Sequence, residues 1–166
     1  DKAVALLESV LKKRPAYPEA LSNLAYAFKK MGSYSKAQSN YAKCLHLNPD
    51  LAKATFNHGL TLLTLGKFKE GWEKYEYRWK VDPGDKVVWP LKDKPLWDGK
   101  SKSKVLLWRE QGIGEDIIFL GLVPEAYEAA GRAMSVLIDP RLIPIWVRSM
   151  PGIEFLPAAK GVVLKD

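Results

Sequence analysis

The first half of the chain repeats itself every 34 residues, and that period restricts the fold more than any other property. Pro15, Pro49 and Pro83 fall in register, as do Leu7, Tyr41 and Tyr75, then Leu11, Leu45 and Trp79, then Ala3, Ala37 and Gly71. Ala20 matches Ala54, Asn23 matches Asn57, Gly32 matches Gly66 and Tyr34 matches Phe68. A repeat of about 20 to 50 residues marks a solenoid, because each supersecondary unit hides its apolar face only by stacking on its neighbours.

Each position has a mechanical reason. Antiparallel helices that cross closely need small residues, which Ala25, Gly59, Ala37 and Gly71 supply. Gly32 and Gly66 end the first helix of each unit, since a left-handed cap suits glycine. Tyr34 and Phe68 are expected to fill the gap at the turn that follows. Pro15, Pro49 and Pro83 stop the second helix, which proline cannot continue. The pattern predicts a lone second helix over about 2–14, a full unit over 18–48 and another over 52–80. Period and residue types together resemble the tetratricopeptide repeat. The pattern opens in mid-repeat, so the protein is expected either to extend toward the N-terminus or to use its leading helix as a cap.

In such a stack the first helix of each pair lines the concave face. Asn23 and Asn57 lie there one period apart. An amide both donates and accepts, so a column of them can hold the backbone of an extended peptide whatever its side chains. The pair resembles the asparagine column in the repeats of the nucleocytoplasmic O-linked N-acetylglucosamine transferases. Local helix or capping bonds are the competing role.

The apolar share of 47% and charged share of 27% are those of a globular chain. No apolar run is long enough to span a bilayer, and the start is unlike a signal peptide. Cys44 is the lone cysteine, which favours a reducing compartment and hence the cytoplasm. The net charge of +7 fits either an acidic partner or a solvated surface.

Residues 1–80 therefore read as the helical module, and 81–103 as a connector rich in proline, glycine and lysine. The connector's Trp89 and Trp97 suggest that it packs down. Its lysines could meet phosphate, but no stacking platform accompanies them, so no nucleic-acid partner is expected. From 104 onward the pattern turns to a small α/β segment ending at 166. Val105–Trp108, Met134–Ile138 and Ile153–Leu156 read as strands, Val162–Leu164 as a possible fourth, and Glu115–Gly131 and Asp139–Met150 as helices. Strands alternating with helices predict a parallel sheet. The turn Gln111, Gly112, Ile113, Gly114 joins strand to helix and is a potential anion site. A dinucleotide fingerprint is not met, because Ile117 stands where its third glycine belongs; Asp139, followed by Pro140, reads more simply as a helix cap. No metal site is predicted.

Several stretches carry a second resemblance. Trp97-Asp98-Gly99-Lys100, Leu106 to Gly114, Pro124, Asp139 to Leu142 and Ser149 to Ile153, with Gly71 to Trp79 at the end of the repeats, look like a bacterial family in which tetratricopeptide repeats precede a domain similar to the lipopolysaccharide heptosyltransferases. The resemblance implies a GT-B glycosyltransferase with two facing Rossmann-like domains, the first taking the acceptor and the second the nucleotide-sugar. It implies an acid just after the glycine turn as general base for the acceptor hydroxyl. The family's Gly-Asp order appears here as Gly114-Glu115-Asp116, so Glu115 and Asp116 are both catalytic candidates. The sequence ends after three or four strands, without the donor domain. The fragment is thus expected to hold no nucleotide-sugar cofactor and to be inactive alone, while its groove takes a protein or peptide and, in a complete enzyme, a glycan or protein acceptor.

Overall fold

The computed structural model describes residues 2–81, 94–110 and 112–158. By its internal contacts the chain divides into two compact units, one up to Lys86 and one from Val87 onward.

Every element among the first unit's described residues is helical. It comprises α1 (Lys2–Lys13), α2 (Pro18–Lys30), α3 (Tyr34–Leu47), α4 (Ala52–Thr64) and α5 (Phe68–Tyr75), then one 3-10 turn (Glu76–Trp79). Pro18 opens α2, where its missing N–H costs nothing. Gly32 and Gly66 take φ of +72° and +74°. At the first turn Gly32 N–H donates to Lys29 O and Ser33 N–H to Phe28 O, the paired bonds of a Schellman cap. Consecutive helices pack in pairs, α2 on α3 and α4 on α5, and α2 also touches α4. Ala25 and Ala37 are fully buried where α2 crosses α3. Gly59 and Gly71 play that part between α4 and α5. A Cβ on Gly59 would stand 2.9 Å from the Tyr75 backbone nitrogen, so no larger residue fits without movement. The core of this unit joins Leu21, Leu24, Phe28, Tyr41, Cys44 and Ala54. Phe68 departs from expectation: it is 63% exposed and closes no gap. Pro83 lies outside the described residues.

Among its described residues the second unit contains a three-stranded parallel sheet in the order β1 (Val105–Trp108), β2 (Met134–Ile138), β3 (Glu154–Pro157). Its buried face gathers Val105, Met134, Val136, Ile138 and Phe155, joined by Leu120, Val123 and Leu142 from the connecting segments. The other face, with Leu106, Trp108, Leu137 and Leu156, is only half-buried. Both predicted helices are broken. The first divides into α6 (Ile113–Phe119), a 3-10 turn (Leu120–Leu122) and α7 (Val123–Ala129). Pro124 explains the break, since its ring collides with the carbonyl four residues earlier and it donates nothing to the ladder. The second is a 3-10 turn (Pro140–Leu142) followed by α8 (Ile143–Ser149), and Pro144 acts in the same way at the start of α8. Trp97 packs against this core, and its Nε1 donates to Ser101 O at 2.8 Å. Beside it Asp98 accepts from the Ser101 and Lys100 backbone N–H groups. Hydrogen bonding from Ser101 lowers the Asp98 carboxyl to about 2. Trp89 and the possible strand at 162–164 lie outside the described residues.

Candidate functional site

Parallel strands present their carboxyl ends together, and in open α/β sheets ligands gather there. In the second unit this edge carries a charged network. Arg109, just past β1, places Nε 3.3 Å from Asp116 Oδ2 and Nη1 3.1 Å from Asp139 Oδ2. The Asp139 N–H, just past β2, donates to Asp116 Oδ2 at 3.3 Å. Asp139 Oδ1 in turn accepts from the Arg141 backbone N–H at 3.0 Å and from Arg141 Nε at 2.9 Å. One buried carboxylate, Asp116 on α6, therefore ties its helix to the ends of two strands.

The Arg141 side chain and its backbone N–H, with Arg109, hold the Asp139 carboxyl well below the usual carboxylate range. Capping explains its place in the chain: Asp139 precedes Pro140, and its side chain accepts from the N–H two residues on. The network was not legible in the sequence as a unit. Its members are spaced 7, 23 and 2 residues apart along the chain, and only the parallel register brings them together. The usable signal was a charged residue directly after each of the first two predicted strands, Arg109 and Asp139.

The turn before α6 makes Gly112 the N-cap. Gly112 N–H donates to Glu115 Oε2 at 3.0 Å, while the N–H groups of Glu115 and Asp116 donate back to Gly112 O. Glu115 is half-buried at the third helical position, where an acid complements both the free amides and the helix dipole. Ile113 and Gly114 open the helix. Gln111 lies outside the described residues. Downstream, Ile117, Ile118, Phe119 and Leu122 stand at least half exposed in one cluster of sequence, Ile118 at 72%.

In the first unit Asn23 is exposed on α2 and Asn57 is half-buried on α4. Asn57 Nδ2 donates to the Lys53 carbonyl one turn back, at 3.0 Å. Tyr26, near Asn23 on α2, is also exposed, with the Lys30 ammonium 5.4 Å from its ring centroid. Deeper in this unit His58 stacks on Tyr41 with ring centroids 5.9 Å apart. Among the described residues, neither ring nitrogen of His58 nor the Tyr41 hydroxyl has a hydrogen-bond partner. Burial, aided by Lys74, lowers the His58 pKa to about 4, and burial pushes the Tyr41 hydroxyl far up.

The fold is a helical-repeat unit followed along the chain by an α/β unit. Residues 18–51 match the tetratricopeptide repeat family. Protein FlbA of Caulobacter vibrioides is 27% identical over 159 residues, which cover 92% of this chain and 26% of FlbA. The chain thus spans about a quarter of the length of the curated relative it matches. Among solved structures, the MamA RS-1 ArsTM double mutant is 25% identical with a TM-score of 0.46, covering 51% of this chain and 47% of that one. MamA AMB-1 is 21% identical with a TM-score of 0.44, covering 55% and 50%. The segment 18–51 is similar to the tetratricopeptide repeat, and it lies in a five-helix unit of a chain whose described residues also hold a small three-stranded parallel sheet. Among the described residues no helix is long and apolar enough to cross a membrane.

Proposed function

We propose that this chain is a protein- or peptide-binding repeat module joined to the acceptor-side part of a glycosyltransferase-like domain, inactive on its own. The observation that carries the binding role is the contact of α2 with α4, which sets two inner helices side by side with Asn23 and Tyr26 left exposed. An extended segment laid across them meets amides that donate and accept, and an aromatic ring. Asn57 can exchange its helical carbonyl for a peptide group at little cost, because the bond it gives up is exposed and local. The double variant Asn23→Ala, Asn57→Ala is expected to lose its peptide partner while melting like the parent. Unchanged affinity in a titration would remove the amide column.

The second half of the reading places the acceptor at the carboxyl edge of the sheet, beside the Gly112–Gly114 turn. Glu115 is the better general base of the two acids. It is half-buried and held by one backbone N–H, whereas Asp116 is buried and neutralised by Arg109. Sugar transfer needs both substrates oriented, so the 166 residues are expected to turn over no nucleotide-sugar. A second reading is that the chain is part of an active bacterial glycosyltransferase whose repeats recruit the acceptor. Assaying a full-length relative against a panel of nucleotide-sugars separates them: turnover there supports the enzyme, and its absence leaves a scaffold.

A further inference from the structure

The outer side of the helical unit carries a groove that the inner-helix reading leaves unused. It runs between α1 and α3, encloses about 1030 Å³, and has α2 as its floor. Leu11, Leu21, Leu24 and Leu47 make it apolar, and Leu47 is 44% exposed at its lip. Lys12 on α1 and Lys43 on α3 stand on opposite walls, both exposed. Among the described residues neither has a carboxylate within ion-pair distance, and Glu8 is the only acid in the lining.

The charge of the whole chain points the same way. Residues 1–81 carry 14 Lys and Arg against 7 Asp and Glu, while residues 82–166 carry 12 against 12. The entire excess of +7 therefore belongs to the helical repeats. An apolar trough walled by unpaired ammonium groups complements one kind of occupant, in which aliphatic side chains enter the trough and flanking carboxylates meet the walls. A nucleic acid supplies the charge but no aliphatic groups for the floor. We infer that the α1–α3 groove is a second docking surface, for an acidic protein segment with aliphatic side chains between its carboxylates.

The test uses the whole chain and a fluorescent twelve-residue peptide in which glutamate pairs flank leucine pairs. A matched peptide carries serine for leucine. Anisotropy is expected to report saturable binding of the first peptide and none of the second. The double variant Lys12→Glu, Lys43→Glu and the single variant Leu47→Asp should each weaken it at least about tenfold, with helical circular dichroism and melting unchanged. Asn23→Ala, Asn57→Ala should leave it intact. No saturable binding, or equal binding of the serine peptide, overturns the proposal. So does full affinity in the Lys12, Lys43 variant. Loss in the asparagine variant alone moves the peptide to the inner helices, which ends this inference and leaves the proposed function standing.

Discussion

The two units hide their apolar residues by different means. The helical unit closes its core with neighbours in sequence: each helix meets the next, and small residues set the approach. The α/β unit assembles its core from strands about 20 to 30 residues apart and leaves one sheet face half-buried. Parallel sheets are ordinarily covered on both faces, whereas here the face bearing Leu137 and Leu156 is half-buried, and Ile117, Ile118 and Phe119 stand exposed. The units also differ in what fixes their geometry. Shape does it among the helices, and charge does it at the sheet's edge, where Asp116 holds α6 against two strand ends.

The largest expected effect tests that contrast directly. Asp116→Ala strips Arg109 of one partner and leaves the Asp139 N–H without its acceptor in a buried place. Removing one member of such a set costs about 3 kcal/mol. Hydrogen exchange should show β1, β2 and α6 losing protection while α2 to α5 keep theirs. Equal loss in both units would mean that they unfold as one. Next in size is Ala37→Leu, which overpacks the α2–α3 crossing and is expected to cost about 1–3 kcal/mol in the helical unit. A melting shift confined to the sheet would contradict the packing argument.

Acid separates the units a third way. His58 binds a proton near 6.5 when unfolded but only near 4 when folded, so the unfolded chain takes up protons first as the pH falls. The helical unit should hold full stability above pH 6.5, lose about 3 kcal/mol between 6.5 and 4, and lose no more from this group below. Asp139 has a lowered pKa, so its contribution persists through that window and fades only below about pH 4, the ordinary carboxylate range. His58→Leu removes the proton site and two unpartnered nitrogens, and should flatten the first window. Denaturation midpoints read every half pH unit, unit by unit, give the answer.

The same contrast explains what the sequence revealed. The repeats were legible because their rules are local: glycine at the cap, proline after the helix, small residues one period apart. The strands β1 and β2 were legible as apolar runs. The breaks at Pro124 and Pro144 were legible in principle, since proline near a helix start implies a new start; an acidic first turn and apolar periodicity masked them. The Arg109–Asp116–Asp139 network was not, because it depends on a register that no local pattern states. Phe68 misled for a related reason: its match to Tyr34 gives the position in the repeat but not the burial.

The smallest effect on stability carries the sharpest functional contrast. Glu115→Gln keeps an oxygen that can accept from Gly112 N–H but loses the charge that favours the helix N-terminus. At a partly exposed first turn that charge contributes about 0.3–1 kcal/mol, so the variant should melt within a few degrees of the parent. As a cap alone, Glu115 would be replaceable by Gln with no consequence for turnover. As a general base it would not, because an amide cannot take the acceptor's proton, and such a base contributes about 10²–10⁴-fold to rate. The comparison belongs in a full-length relative with the matching acid. There the base role predicts a turnover loss of that size against a nearly unchanged melt, with a pH profile that no longer falls on the acid side. The cap role predicts a small change in both. Asp116→Asn supplies the reference, because its loss acts through Arg109 and should lower stability and turnover together. If the Gln variant kept parental turnover, Glu115 would be a helix cap, and the sheet's edge would need another base.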